Sequence, residues 1–431
     1  MTKLQDLYAD RFGKPEWAWF AYALALLLPV RSPAASWITW GMLLGMLLPM
    51  VYGPFFRSKL ARGLLVGAVV SVVCGYLTGL YAQQMPGRGF VSSFAVFQAG
   101  TLAGLVATAA LGYWCVQRIG VGSFLVVWSA GLCVRAVAAQ GGFELNPWKY
   151  GLALPVSLIL LVVAKKFKYL GVFTAVILIV VMSIDASFRS WLLILGITMI
   201  TAVFGSISAI RRNNPFKVSN VALILGLGIA AASSSLLWLA TSGLLGDSVA
   251  RRTNAQIESG GSIILGGRPE WGGAWALFRH DPLGFGLGTS PSTSDTVRAI
   301  RNMPFASAEL QNLSTVASYF RAGTVSFHSV LWNFWGNYGI AGVLLIAFVF
   351  ASIGYSLVLI AAGRARHEHI IATAMLSVAA MWDILFSPSL YQILGIAFAV
   401  AVHIILSSRV VDSTRLGLAS NGIRRKEIND E

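Results

Sequence analysis

The residues best suited to chemistry are the arginines of positions 244–327, a stretch that contains no lysine. A guanidinium is a planar fork that binds phosphate through two hydrogen bonds and keeps its charge when water is removed. The set therefore favours recognition of a phosphate or diphosphate group, although each member could instead pair with a nearby acid or a lipid headgroup. Its members are Arg251, Arg252, Arg268, Arg279, Arg298, Arg301 and Arg321.

Two further residues stand where apolar runs begin. Arg189 lies between two such runs, where a charge is costly and marks a candidate functional site. His328 directly follows the arginine-rich stretch. A neutral histidine close to phosphate-binding arginines is suited to take a proton from a hydroxyl. The alternatives are a snorkelling arginine at a turn and a structural histidine.

Carboxylates are scarce where a metal or a coupling ion would bind. No acidic residue occurs between Glu16 and Glu144, and within the apolar runs only Asp185 and Asp383 appear. Hard cations require several oxygen ligands, and ion-coupled transporters usually need carboxylates inside the membrane. The sequence therefore predicts no metal and no cofactor, and it disfavours an ion-coupled transporter.

A glycine-rich stretch runs from Asp281 to Pro291 within the arginine-rich segment. Asp-Pro is typical of a turn, and the glycines allow another backbone to approach closely. No strand–helix–strand pattern surrounds the stretch, so it is not a dinucleotide fingerprint. It is interpreted as a tight structural turn, with a cradle of amides around phosphate as the alternative.

These residues are set in a chain of 431 residues that is 56% hydrophobic and only 11% charged. Soluble domains carry about 25% charged residues, and one membrane crossing needs about 20 apolar residues. We therefore expect an all-α polytopic membrane protein with about twelve transmembrane helices and a helical external cap. The apolar runs fall at about 17–30, 35–52, 63–82, 90–114, 119–139, 150–164, 169–185, 190–210, 219–243, 328–362, 369–386 and 388–408.

The order of these runs divides the chain into five segments. They are N-terminal transmembrane helices at 1–165, central ones at 166–243, the cap at 244–327, C-terminal transmembrane helices at 328–410 and a tail at 411–431. Clusters such as Lys165, Lys166 and Lys168 recur in alternate loops, and basic residues collect on the cytoplasmic side. Both termini should therefore be cytoplasmic and the cap external. The net charge of +15 is explained by these loops rather than by nucleic acid.

Three motifs of this chain occur together in one known family. They are Phe188-Arg189-Ser190-Trp191-Leu192-Leu193, then Gly267-Arg268-Pro269-Glu270-Trp271 continuing to the glycine-rich stretch, and last His328 with Leu331 and Gly339-Ile340-Ala341-Gly342. The order, the spacing and the expected external location of these motifs are those of one family. In these respects the chain resembles the bacterial O-antigen ligase and O-antigen polymerase superfamily. Members of that family are polytopic glycosyltransferases of the GT-C type. The resemblance covers about 180–390.

The resemblance implies glycan transfer at the outer face of the bacterial cytoplasmic (inner) membrane. The donor would be a glycan on undecaprenyl diphosphate. The acceptor would be a sugar hydroxyl, either of lipid A-core for a ligase or of another lipid-linked glycan for a polymerase. His328 would be the general base, and Arg189 and Arg268 would stabilise the leaving diphosphate without a metal. The further substrate-binding residues would be Arg279, Arg252, Arg321 and Trp271.

The chain departs from the family at two positions, and two other classes stay open. Ser329 stands where the family often has asparagine, and Asn337 where it often has an acid. A flippase or transporter of a lipid-linked sugar would also use arginines, but inside the helix bundle and without a histidine next to the cap. A non-catalytic membrane assembly protein would not need a cap with arginine alone.

The charge bias gives a topology that can be tested. In a variant without Cys74, Cys115 and Cys133, a cysteine placed in 165–168 should react only after the cytoplasmic side is opened, because the lysines there hold that loop inside. A cysteine placed in the cap should react in intact cells. The measurement is labelling by a membrane-impermeant maleimide, and external labelling at 165–168 would contradict the topology.

Overall fold

The computed structural model describes residues 17–33, 38–138, 143–186, 188–210, 218–244, 246–261, 267–303, 327–365, 369–387 and 392–407. Arg321 and the tail at 411–431 lie outside these residues. The described chain is mainly helical. It also contains one two-stranded antiparallel pair, β1 Gly89–Phe90 with β2 Thr289–Ser290, and an isolated bridge between Arg31 and Thr39. Its helices are α1 Ala18–Leu27, α2 Trp40–Leu47, α3 Tyr52–Phe55, α4 Lys59–Ala82, α5 Ser92–Ile119, α6 Val121–Ala138, α7 Ala153–Ala164, α8 Lys168–Asp185, α9 Arg189–Ile210, α10 Val218–Thr241, α11 Asp247–Gly260, α12 Glu270–His280, α13 Thr293–Arg301, α14 Val330–Ala361, α15 Ile370–Phe386 and α16 Gln392–Ser407.

Seven helical stretches in the described chain are long and apolar enough to cross a membrane. They are α4, α5, α6, Trp148–Asp185, Arg189–Ser208, α10 and α14, and α1, α15 and α16 are shorter apolar helices. The stretch Trp148–Asp185 turns at Lys168, where φ is +53°, so that α7 and α8 pack against each other. This architecture is that of an all-α polytopic membrane protein.

The exposed sides of the long helices are themselves apolar. On α4 the exposed residues include Val66, Val69, Val73 and Leu77, which recur every three or four positions along one face. On α8 a similar face carries Phe173, Ile177, Val181 and Ile184. Hydrocarbon is the solvent that such faces favour, because leaving them in water would cost free energy in proportion to their area.

Helices from both ends of the chain share one apolar core, which extends from Ala21 to Leu406. The α4 helix packs along α14, and α15 packs on both α9 and α14. In α16, the Phe398 ring lies 5.2 Å from Phe124 and 4.7 Å from Trp128 of α6. Helices of the N-terminal, central and C-terminal transmembrane segments therefore contribute to the same core.

The cap has a smaller apolar core of its own, built on the first turns of α14. Ala274 and Leu277 of α12 meet Ala299 and Met303 at the end of α13, and Trp335 of α14 lies beneath them with no exposed surface. The described cap is thus a helical layer that rests on α14 through aromatic contacts.

The glycine-rich stretch fixes the cap to the helices by close backbone contact. The Phe285 amide donates to the Gly336 carbonyl at 2.9 Å, and the Leu287 amide donates to the Gly75 carbonyl at 2.8 Å. At Gly286, φ is +80°, and a Cβ there would overlap the backbone of Gly79. Since these amides already have protein acceptors, the structure favours the tight turn over a phosphate cradle.

The same contact bends α14. Gly339 has φ +64° and ψ −151° inside the helix, and a Cβ there would lie 2.5 Å from the Leu283 carbonyl oxygen. Beside the bend, Gln98 of α5 donates to Asn337 Oδ1 at 2.8 Å, and Tyr338 donates to the Gln98 carbonyl at 2.6 Å. Asn337 therefore supports the bend, which separates the first turns of α14, at the His328 end, from the rest of the helix.

A buried arginine outside the cap completes the attachment. Arg88, in the loop before β1, donates to Asp281 at 2.7 Å and to Asp295 at 2.9 Å, and its side chain is 4% exposed. Its guanidinium also lies 4.8 Å from the Phe285 ring. Burial by itself raises the pKa of Asp295, but hydrogen bonds from Arg88 and Ser292 and the Arg88 charge lower it below its usual value.

Replacing Arg88 should loosen the cap. Arg88→Ala leaves two carboxylates without their cation, and breaking a buried pair in this way costs about 3–5 kcal/mol. We expect faster proteolysis within 281–295 and a lower unfolding temperature of the purified protein. Because the folded-state pKa of Asp295 is lowered, the stabilisation is complete above the unfolded pKa of about 3.9 and is lost as pH falls through the lower folded value.

The matched control is Arg301→Ala, which removes an exposed arginine at the end of α13. It should leave both readouts unchanged. Equal protease resistance of Arg88→Ala and Arg301→Ala would show that the Arg88 ion pairs do not hold the cap.

Candidate functional site

His328 lies in a strained turn at the start of α14. Its φ is +45°, a left-handed conformation that costs a non-glycine residue about 1–2 kcal/mol. The Phe327 amide donates to Asn333 Oδ1 at 3.0 Å, and the Ser329 hydroxyl caps α14 by accepting from the Trp332 amide at 3.4 Å. These bonds hold the backbone on both sides of the histidine and offset the strain.

Arg268 lies beside this turn, just before α12. It is close enough for its charge to act on the His328 imidazole and on the Asp383 carboxyl of α15. Its Nη1 is 3.5 Å from Oε1 of Glu270, which is 2% exposed, whereas the Arg268 side chain is 33% exposed. Arg268 therefore has acidic neighbours but still presents part of its guanidinium to a ligand.

Arg189 is the first residue of α9 and is held by the cap helix α11. Its Nη1 donates to the Thr253 hydroxyl, and its Nη2 donates to Gln256 Oε1 at 3.3 Å. Arg252 is near enough for the two like charges to repel each other. Within the described chain neither arginine forms an ion pair, so the two positive charges have no carboxylate to neutralise them.

Gln256 connects the two groups of residues. The side chain that holds Arg189 also lies 3.9 Å from the Cβ position of Gly267, the residue before Arg268. Gln256 therefore contacts Arg189 and approaches the segment that leads to Arg268 and His328. We call Arg189, Arg252, Arg268 and His328 the arginine–histidine patch. It combines charges from α9, from α11 and from the segment before α12 with the imidazole that precedes α14.

Trp271 forms part of the wall of the patch. It lies on the first turn of α12, stacked on Phe386 of α15 at 5.4 Å and 19°. The edge of Trp332 of α14 meets it at 5.9 Å and 88°. Trp271 thus joins three helices three residues after Arg268, and a change there would disturb the segment that carries the arginine.

Two of the residues expected at the site are not placed on the patch. Arg279 is exposed near the far end of α12, about 12 Å along the helix axis from Trp271 at 1.5 Å per residue. Arg321 lies outside the described residues. Gln256 and Thr253, which hold Arg189, were not recognised as site residues from the sequence.

The environment of His328 keeps its imidazole neutral. Burial lowers the pKa of His328 below its usual value of about 6.5, and the positive charge of Arg268 lowers it further. At pH 7 the side chain is therefore unprotonated and able to accept a proton. The patch can bind an anionic group at its arginines and remove a proton from a hydroxyl beside it.

No protein family model matches the chain, and no curated protein matches it either. The resemblance to O-antigen ligases and polymerases therefore stays a prediction from the three motifs, and function has to be argued from the patch.

The lowered pKa can be measured without an activity assay. The rate at which diethyl pyrocarbonate modifies His328 follows its neutral fraction, so half-maximal modification should occur below pH 6.5. Arg268→Gln should move that midpoint upward, because it removes a positive charge that opposes protonation. Peptide mass spectrometry across pH gives the midpoints.

Arg279→Gln serves as the control, because it removes an exposed arginine at the far end of α12. The pH midpoint of His328 modification in this variant should equal that of the protein with the original sequence. A midpoint that does not move in Arg268→Gln would mean that Arg268 does not act on the imidazole.

Proposed function

We propose that the protein is a membrane glycosyltransferase of the O-antigen ligase type. It would transfer a glycan from undecaprenyl diphosphate to a sugar hydroxyl of lipid A-core. The observation that carries the proposal is the arginine–histidine patch. In it, Arg189 and Arg252 lie close together without a carboxylate partner in the described chain, and the partly exposed Arg268 lies beside a neutral histidine. These are the two functions that such a transfer requires, a cationic site for the leaving group and a base for the acceptor.

The arginines act on the leaving group. Arg189 and Arg252 bear two positive charges that repel each other until an anion lies between them or close by. Arg268 adds a third, partly exposed guanidinium. Together they bind the diphosphate through charge-assisted hydrogen bonds and stabilise the charge that grows on it as the glycosidic bond breaks.

The histidine acts on the acceptor. His328 takes the proton from the attacking hydroxyl, and the hydroxyl oxygen forms the new bond to the anomeric carbon. The bond from that carbon to the diphosphate oxygen breaks, and its electron pair leaves with the diphosphate. A single attack opposite the leaving group inverts the anomeric centre. The proton then passes from the imidazole to water or to the released diphosphate.

The proposal includes the finer architecture expected from the sequence. Twelve spans of the GT-C type would place both termini in the cytoplasm and the cap outside the bacterial inner membrane. The apolar helices and the bias of Lys and Arg support this arrangement. In a polymerase of the same superfamily the acceptor would be another lipid-linked glycan, and the same patch would serve. A flippase would need the arginines but no base.

The decisive experiment compares His328→Ala with His280→Ala, which removes an exposed histidine of the cap. Loss of a general base lowers the rate roughly 10²–10⁴-fold, so His328→Ala should be almost inactive and His280→Ala should be normal. Arg189→Lys and Arg268→Lys should retain only part of the activity, because lysine keeps the positive charge but cannot form the bidentate hydrogen bonds of a guanidinium. Transfer is measured with the purified chain, lipid-linked donor and acceptor.

Activity of the unmodified protein should fall as pH drops below 6.5. Normal turnover by His328→Ala at normal protein levels would overturn the assignment of the base. The lipid-linked glycans of a strain without the protein identify the acceptor. Accumulated full-length polymer indicates a ligase, and accumulated single repeat units indicate a polymerase.

A further inference from the structure

The aromatic side chains of the cap form a continuous row that leads away from the patch. The row begins with Trp271, three residues after Arg268, and continues through Trp332, which lies four residues after His328. The Trp332 ring is 6.3 Å from Trp275, and Trp275 is stacked on Phe278 at 5.5 Å and 23°. The row therefore runs along one side of α12, and it begins at the end of the helix that is close to Arg268.

Only one ring of the row presents a large face to the outside. Trp275 is 52% exposed, whereas Trp335, which contacts Phe278 and Trp332, has no exposed surface. Contacts with Phe278 and Trp332 hold the Trp275 ring in place, so that little conformational freedom remains to be lost when a ligand covers it. A fixed and exposed indole is a suitable surface for a flat ligand with an apolar face.

A hydrogen-bonding group lies on the same side of the helix. Arg279 follows Trp275 by four residues, which places the two side chains one above the other on α12. Arg279 is exposed and forms no ion pair within the described chain. A sugar ring has the complementary chemistry, because its C–H groups form an apolar face and its hydroxyl or carboxyl groups lie at the edge.

We propose that the exposed face of Trp275, together with the Arg279 guanidinium, is a carbohydrate-binding subsite for the glycan that is transferred or extended at the patch. This inference rests on the proposed function and adds a subsite to it. The stacked ring would bind the sugar face, and the guanidinium would bind an oxygen at the sugar's edge. Trp332 and Trp271 lie between this subsite and the patch. The subsite would therefore bind a sugar of the glycan other than the one that reacts.

Binding can be tested without the lipid, the diphosphate or the reaction. The probes are reducing oligosaccharides of two to four sugars, released by mild acid from bacterial lipopolysaccharides, and the full chain is held in nanodiscs. Saturation-transfer NMR gives the affinity. The protein should bind at least one probe, and Trp275→Ala should weaken that binding by roughly five- to tenfold, the effect of one lost aromatic contact.

The controls separate stacking from folding and from catalysis. Trp275→Phe keeps a ring and should retain most of the affinity. Trp238→Ala removes another exposed tryptophan, which lies in α10 and is 62% exposed, and this variant should bind normally. His328→Ala should also bind normally, since the base is not part of the subsite. Arg279→Gln should weaken binding most for oligosaccharides that contain an acidic sugar.

Kinetics then identify which glycan occupies the subsite. If Trp275→Ala raises KM for the lipid-linked donor alone, the sugar belongs to the donor, and a higher KM for the acceptor alone assigns it to the acceptor. The subsite is refuted if no probe binds, or if Trp275→Ala binds as well as the unmodified protein. Normal transfer by His328→Ala would overturn the base but leave this subsite intact.

Discussion

The cap and the helices meet at a distance that only glycine permits. Between Gly284 and Gly288 the chain lies against the backbone of α4 on one side and of α14 on the other, and each of these glycines has a positive φ. Its amides donate to carbonyls of both helices, so the contact is specific in register as well as close. The bend of α14 at Gly339 depends on the same contact, because the Leu283 carbonyl lies where a side chain would be. The orientation of the first turns of α14, and with it the place of His328, follows from this packing.

The arginines show how partners decide the role of one residue type. Arg88 is buried between two carboxylates, and its charge is neutralised within the protein. Arg189 and Arg252 have no carboxylate partner in the described chain and lie close to each other. Two like charges near an apolar core are unfavourable, because the low dielectric strengthens their repulsion. An anionic ligand relieves that repulsion. The same ligand would gain little binding energy from Arg88, because two carboxylates already neutralise its charge. The first arginine is therefore structural, and the other two are suited to binding.

The sequence predicted what local composition determines and missed what long-range pairing determines. The long apolar runs predict helices because each run has to satisfy its own backbone in hydrocarbon, and most of them are helices in the structure. The positions of Arg189 and His328 at the ends of runs marked them as candidates. Gln256 gave no such signal, since its importance lies in joining Arg189 to a glycine that is distant in sequence. The Arg88 ion pairs span 193 and 207 residues, and no local pattern reports a contact of that kind.

The patch is assembled from parts that must be brought together by folding. His328 is fixed by α14 and by α15, since Ser329 also donates to the Ile384 carbonyl at 3.4 Å. Arg189 belongs to α9, and Arg252 belongs to the cap. Transition-state stabilisation needs charges that are already in place, because moving them during the reaction would cost the free energy they are meant to supply. The bonds of Thr253 and Gln256 to Arg189 are therefore more than cap contacts. They position a membrane-helix arginine relative to a cap arginine before any ligand arrives.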